Sequence, residues 1–140
     1  PMGVDAMLES IDLVRDSNAP RVKQDSQEGT YEGWCRKADV EIDWNKSANE
    51  IHNLIRGANP QPGAWTTING EEVKVFDCHK STSVSGEAGA ISSIGEEGVV
   101  VATGEGGIRI LKVRPEDSGK VSAHEFASNR NLLVDMKLGI

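Results

Sequence analysis

Residues 42–65 read IDWNKSANEIHNLIRGANPQPGAW, and the arrangement of the rest of the chain follows from how this stretch folds. Ser47 and Glu50 have the spacing of a capping box, in which the serine hydroxyl accepts the N3 amide and the glutamate reaches back to the cap amide. A helix is therefore predicted from Ala48. Ile51, Leu54 and Ile55 recur at i, i+3 and i+4 as one apolar stripe, while Asn49, His52, Asn53 and Arg56 point elsewhere. Gly57 is placed to end the helix at positive φ, with Pro60 and Pro62 barring its continuation. The expectation is a one-face surface helix turning sharply into a strand that begins at Trp65, whose ring should be buried.

Ile42, Trp44, Ile51, Ile55, Arg56, Gly57, Asn59, Pro60, Pro62, Gly63, Ala64 and Trp65 also resemble a known block. They are similar to the I-x-W…I-x-x-x-I-R-G-x-x-P-x-P-G-A-W pattern that opens the C-terminal domain of methionyl-tRNA formyltransferase and its relatives. Those relatives include the hydrolase part of 10-formyltetrahydrofolate dehydrogenase and the formyltransferase that modifies aminoarabinose. Upstream, Ala19-Pro20, Gln24-Asp25 and Thr30-Tyr31 resemble the linker of the same family. Trp44, Gly57, Pro60, Pro62, Gly63 and Trp65 are the structural residues of the motif. The resemblance implies an oligonucleotide-binding-like barrel and a catalytic formyltransferase domain upstream on the same polypeptide. That domain would bind 10-formyltetrahydrofolate, and its Asn, His and Asp would carry the chemistry. None of its motifs occurs here, so no catalytic residue and no cofactor are expected in this chain.

The chain has 140 residues, enough for one domain and an arm. No apolar run approaches the ~20 residues of a membrane span, and no signal peptide is visible, so a cytoplasmic location without membrane contact is expected. Cys35 and Cys78 are expected to stay unpaired. The formal net charge is −7, and from Val40 onward 10 basic residues face 14 acidic ones, a net of −4. Binding to tRNA draws on clustered Lys and Arg, which makes tRNA a disfavoured partner. Arg56, Arg109, Lys112 and Arg114 are the candidates for substrate contact. The blander reading of Arg109, Lys112 and Arg114 is a solvated strand face, since Glu116 and Asp117 follow at once.

Val4 to Arg15 has helical apolar spacing at Val4, Met7, Leu8, Ile11 and Val14 or Leu13 and predicts an amphipathic helix. In the family this segment is similar to the last helix of the catalytic domain, and Pro1-Met2-Gly3 reads as a cloning scar. Ser17 to Asp39 is linker-like, with Tyr31 and Trp34 expected to pin it to a domain surface. Residues 1–39 are thus helix and interdomain linker, and residues 40–140 the folded domain. Within it, residues 38–44 alternate like a short strand. Ala64–Ile68 and Val73–Phe76 flank Asn69-Gly70, the strongest short hairpin signal, and Ser81–Gly89 reads as a mobile loop. Strands are predicted at 90–94, 99–103 and 108–113. The fold class is mainly β with flanking helices, a five-stranded OB-fold-like barrel preceded by a helix and linker. A second capping box at Ser122-Glu125 predicts a helix over Ala123–Asn129. The path of residues 131–140 stays open between an edge strand and a tail across the barrel.

His52, His79 and His124 are isolated and lack metal-ligand spacing, so no metal site is expected. Cys78 and His79 are adjacent on a strand and point to opposite faces, which removes a nucleophilic dyad. GEGG at residues 104–107 lacks the Lys and helix of a phosphate loop. The residues support a non-catalytic substrate-positioning domain of a formyltransferase. A hydrolase, dehydrogenase or sugar-nucleotide relative, a free-standing interaction module and a small independent enzyme are the alternatives.

Overall fold

The chain divides into two units, Pro1–Gly33 and Trp34–Ile140. The computed structural model describes residues 2–23, 25, 29–82, 84 and 86–140; Gln24 of the linker motif and Ser83 and Ser85 of the predicted loop lie outside them. In the first unit α1 spans Met2–Arg15 and buries no residue. Val4, Met7, Leu8, Ile11 and Val14 are all exposed, so the stripe that its periodicity announced is present and faces solvent. Tyr31 and Trp34, expected to be pinned, are instead 94% and 91% exposed.

The second unit begins with a 3-10 turn over Lys37–Val40, where a strand was expected. Alternation survives as burial, with Val40, Ile42 and Trp44 inside. Pairing is limited to one parallel bridge between Glu41 and Trp65. Helix α2 follows over Ala48–Ala58. Its box is formed in both directions: the Glu50 amide donates to Ser47 Oγ at 3.3 Å and the Ser47 amide to Glu50 Oε2 at 3.1 Å. Ile51 and Ile55 are among the most buried side chains of the protein.

Gly57 departs from its expected role. It lies within α2, at no positive φ, and a Cβ there would meet nothing within 4 Å. The helix runs on to Ala58 and is capped by Asn59. The glycine that turns the chain is Gly63, at φ +83, whose N–H donates to the Ala58 carbonyl at 2.9 Å. The two prolines, both preceded by cis peptide bonds, delay the left-handed residue until after them.

Strand β1 (Ala64–Ile68) and strand β2 (Glu71–Ser81) form the predicted hairpin. Asn69 and Gly70 sit at φ +51 and +77, the pair of positive angles that a type I′ turn needs. β2 is longer than its apolar core suggests, reaching Ser81. On β1 the inward positions are Ala64, Thr66 and Ile68, so Trp65 points the other way and is only half-buried. Its Nε1 donates to the Lys37 carbonyl at 2.9 Å. The fully enclosed indole is that of Trp44, whose Nε1 donates to Thr66 Oγ1 at 2.9 Å.

Strands β3 (Ile91–Gly95), β4 (Gly98–Ala102), β5 (Gly107–Pro115) and the two-residue β6 (Val121–Ser122) complete an antiparallel sheet of order β1-β2-β5-β4-β3, with β6 on β5. β4 is buried at every position, as a central strand covered on both faces must be. Helix α3 spans Ala123–Asn129, as predicted, and the Ser122 hydroxyl accepts the Glu125 N–H at 3.1 Å.

Among the described residues β1 and β3 end the sheet and do not pair with each other, so strand pairing does not close a barrel. The C-terminal segment runs along the gap. Asp135 N–H donates to the Ile91 carbonyl and Leu138 N–H to that of Gly89, each at 2.9 Å; Gly139 N–H donates to the Thr67 carbonyl on β1 at 2.8 Å. No strand forms over residues 131–140, so of the two options left open the segment is the tail, bonded to β3 at one edge of the sheet and reaching β1 at the other. The GEGG turn has a structural reason: a Cβ on Gly104 would lie 1.9 Å from the Asn45 carbonyl oxygen, because the turn packs on the entry to α2.

Candidate substrate-contact surface

β2 and β5 pair antiparallel with Lys74 opposite Arg114, and the register slips between Val75 and Asp77. The slip is a bulge that leaves Phe76 unpaired, and it re-aims local side chains. Phe76 is 6% exposed yet stands outside the main apolar cluster. Its ring is flanked by the Lys120 ammonium, 3.8 Å from the centroid, and the Arg114 guanidinium, at 5.6 Å. Such cation–ring contacts are electrostatically attractive. Lys74 Nζ donates to the Pro62 carbonyl at 2.9 Å.

The four candidate cations fall into different neighbourhoods. Arg114 belongs to the Phe76 group. Arg109 is engaged by Glu97, with Nη1 2.8 Å from Oε2. Lys112 is exposed and registers near Asp77. Arg56, on the last turn of α2, shares its surroundings with His52, His79 and Lys80. There, partial burial first, and then Arg56, Lys80 and His79, lower the pKa of His52. Lys80 Nζ donates to Asn49 Oδ1 at 3.1 Å. On the other flank, Asp39, Glu41, Asp43 and Glu50 line one groove beside α2 with Lys46. The acidic total therefore coexists with local basic groups.

Lys74, Phe76 and Lys120 were not among the sequence candidates. Lys74 becomes notable only through its pairing with Arg114, a contact between distant strands, and Lys120 only through a loop that folds back on Phe76. Neither leaves a signal in local spacing.

The surface offers little chemistry of its own. Burial pushes the Cys78 thiol up to about 11, away from reactive thiolate, and His79 is exposed on the opposite side of the strand. Cys35 and Cys78 are both free. Among the described residues no group of three or more His, Cys, Asp or Glu is placed to hold a metal, and no helix is long and apolar enough to cross a membrane.

Comparison with known proteins gives the same architecture a family. The 10-formyltetrahydrofolate dehydrogenase of human mitochondria is 46% identical over 76 residues, which are 54% of this chain and 8% of that protein. Methionyl-tRNA formyltransferase of Syntrophomonas wolfei is 35% identical over 140 residues, 99% of this chain and 45% of the relative. The chain thus spans less than half the length of these relatives. Among solved structures, HypX from Aquifex aeolicus in complex with tetrahydrofolic acid superposes with a TM-score of 0.71 at 19% identity, covering 94% of this chain and 23% of that one; this likeness concerns the fold. The profile described as "Formyl transferase, C-terminal domain" matches residues 35–131. That span holds the capped helix, the P-x-P-G-A-W corner, every strand and α3, and the chain therefore belongs to the formyl transferase C-terminal domain family.

Proposed function

We propose that residues 40–140 form the non-catalytic C-terminal domain of a 10-formyltetrahydrofolate-dependent formyltransferase of the methionyl-tRNA type, and that it helps position the formyl acceptor. Residues 1–39 are then the closing helix and linker of a catalytic domain on the same polypeptide. That domain binds the cofactor and works in the cytoplasm. The carrying observation is the extent of similarity: the methionyl-tRNA formyltransferase of S. wolfei aligns over 99% of this chain, helix and linker included, whereas the dehydrogenase match covers 54%. In this reading the curled sheet serves as an OB-like barrel, its seam held by residues 135–139.

The acceptor contact is weak on its own. Arg109, Arg130 and Lys137 are engaged by carboxylates, the folded part carries a net charge of −4, and tRNA affinity scales with the phosphates neutralised. The acidic net charge and the higher local identity to the dehydrogenase favour, as a second reading, a relative acting on a small molecule. The test compares a catalytic domain alone with the same domain carrying this chain. Addition of the chain should lower KM for Met-tRNA while leaving cofactor affinity unchanged, and the isolated chain should turn over no 10-formyltetrahydrofolate. An unchanged KM would overturn the positioning role. Lower KM for a small formyl acceptor instead would favour the second reading.

A further inference from the structure

Lys74 and Arg114 stand directly opposite each other in the β2–β5 ladder, an arrangement that destabilises a sheet when the charges are alike. Neither forms an ion pair among the described residues, and nor does Lys120. Arg114 and Lys120 lie over the buried Phe76 ring, and the Lys74 stem runs beside its edge. A structural explanation covers only part of this. Long cationic stems do shield an apolar ring, but one would suffice, and neutral side chains would do so without mutual repulsion.

The ring is held firmly on one side and loosely on the other. A Cβ at Gly63 would lie 3.3 Å from Lys74 Cδ and 3.4 Å from Phe76 Cζ, so the prolyl corner abuts the ring edge. Lys120 is exposed, in the stretch between β5 and β6, and only rotamer changes are needed to lift its ammonium off the ring face. Moving it uncovers an aromatic face bordered by the Arg114 guanidinium and the Lys120 ammonium, with the Lys74 stem along its edge and the Lys74 ammonium on the Pro62 carbonyl.

The geometry points to a binding site for a single nucleotide unit, with its base stacked on Phe76 in place of the Lys120 ammonium and its phosphate held by Arg114, Lys74 and the displaced Lys120. Aromatic platforms beside cations are how sheet surfaces take unpaired bases without reading sequence. The carboxylates of the neighbouring groove set the limit on size. Glu72 and Glu116 line it together with Lys74 and Arg114; Glu72 is engaged by Lys37, while Glu116 stands at the rim. A run of phosphates would meet that rim charge, whereas one phosphate fits between the cations. The nucleotide unit is either free or one unpaired residue of an RNA strand. The site does not depend on which formyl acceptor the parent enzyme uses.

The test is an NMR titration of the 140-residue chain at low salt with adenosine monophosphate, with inorganic phosphate and with a three-residue single-stranded RNA. Adenosine monophosphate is expected to shift the Phe76 ring and the Lys74 and Arg114 signals, and to bind more tightly than phosphate alone. Tighter binding of the trinucleotide than of the mononucleotide identifies an RNA strand as the source, and the reverse identifies a free nucleotide; either supports the site. Phe76→Leu should weaken nucleotide binding roughly tenfold, as loss of one stacking platform does. The Arg114→Ala/Lys120→Ala double variant changes exposed side chains, and should weaken it with a shallower salt dependence. Equal affinity for phosphate and nucleotide, shifts absent from these residues, or unaltered binding by either variant would overturn the proposal.

Discussion

Arg130 grips Glu71 through two parallel hydrogen bonds, Nε to Oε2 at 2.8 Å and Nη2 to Oε1 at 2.9 Å. Nη2 also donates to Asp117 at 2.8 Å. One side chain at the end of α3 thereby ties the start of β2 to the loop after β5, and the two carboxylates raise the pKa of the guanidinium. A lysine cannot reproduce the planar fork. Arg130→Lys should lower the thermal midpoint, and the loss should shrink when Glu71 is already Gln. Fully additive losses in a double-mutant cycle would show that the fork carries no coupling.

Gly57 sits in a helix with open space beside it, where glycine is inferior to alanine by ~0.5–1 kcal/mol. Gly57→Ala should stabilise by about that amount in urea unfolding. Gly104→Ala should do the opposite, because its Cβ would collide with the Asn45 carbonyl. A destabilised Gly57→Ala variant would mean that the left-handed conformation occurs there after all.

The two motif tryptophans should separate in size of effect. Trp44 is enclosed and bonded to Thr66, so Trp44→Ala should cost about 3–5 kcal/mol. Trp65 is half-buried, and Trp65→Ala should cost clearly less. Equal losses in chemical denaturation would contradict the assignment of their faces.

Acid should loosen the entry to α2. Hydrogen bonds from the Ser47 hydroxyl and amide lower the Glu50 pKa. A carboxylate depressed in the folded state contributes stability that is present above its unfolded pKa and lost as pH falls through the folded one. Unfolding measured from pH 6 down to pH 3 should therefore show a flatter decline in Glu50→Gln than in the unaltered chain. Parallel declines would remove Glu50 from the acid response.

The elements written in neighbouring residues were legible in the sequence: the Ser47 and Ser122 caps, the Asn69-Gly70 hairpin, the limits of α3. Each rests on bonds within a few positions, which spacing alone can encode. Two failures were local, and the contact surface was set by distant chain segments. Gly57 carried every mark of a helix stop, but the two prolines moved the turn to Gly63. Trp65 was assigned to the interior as the residue that starts the first strand, whereas the alternation of β1 put Thr66 there and left the enclosed place to Trp44. Of the contact surface, Arg114 was visible as a cation, but its partners were not. Lys74 and Phe76 join it only through the β2–β5 pairing and its bulge, and no local pattern reports a register between strands so far apart.

Residues 135–139 hold carbonyls of both β3 and β1, and this gives the chain an order of events during its synthesis. Until that segment has left the ribosome, two short strands offer unpaired backbone groups to any extended polypeptide nearby, the usual beginning of misassembly. The fold is thus safest once its late residues are in place. Deleting them should cost solubility before it costs secondary structure, with oligomers forming from monomers whose helices and hairpin remain intact.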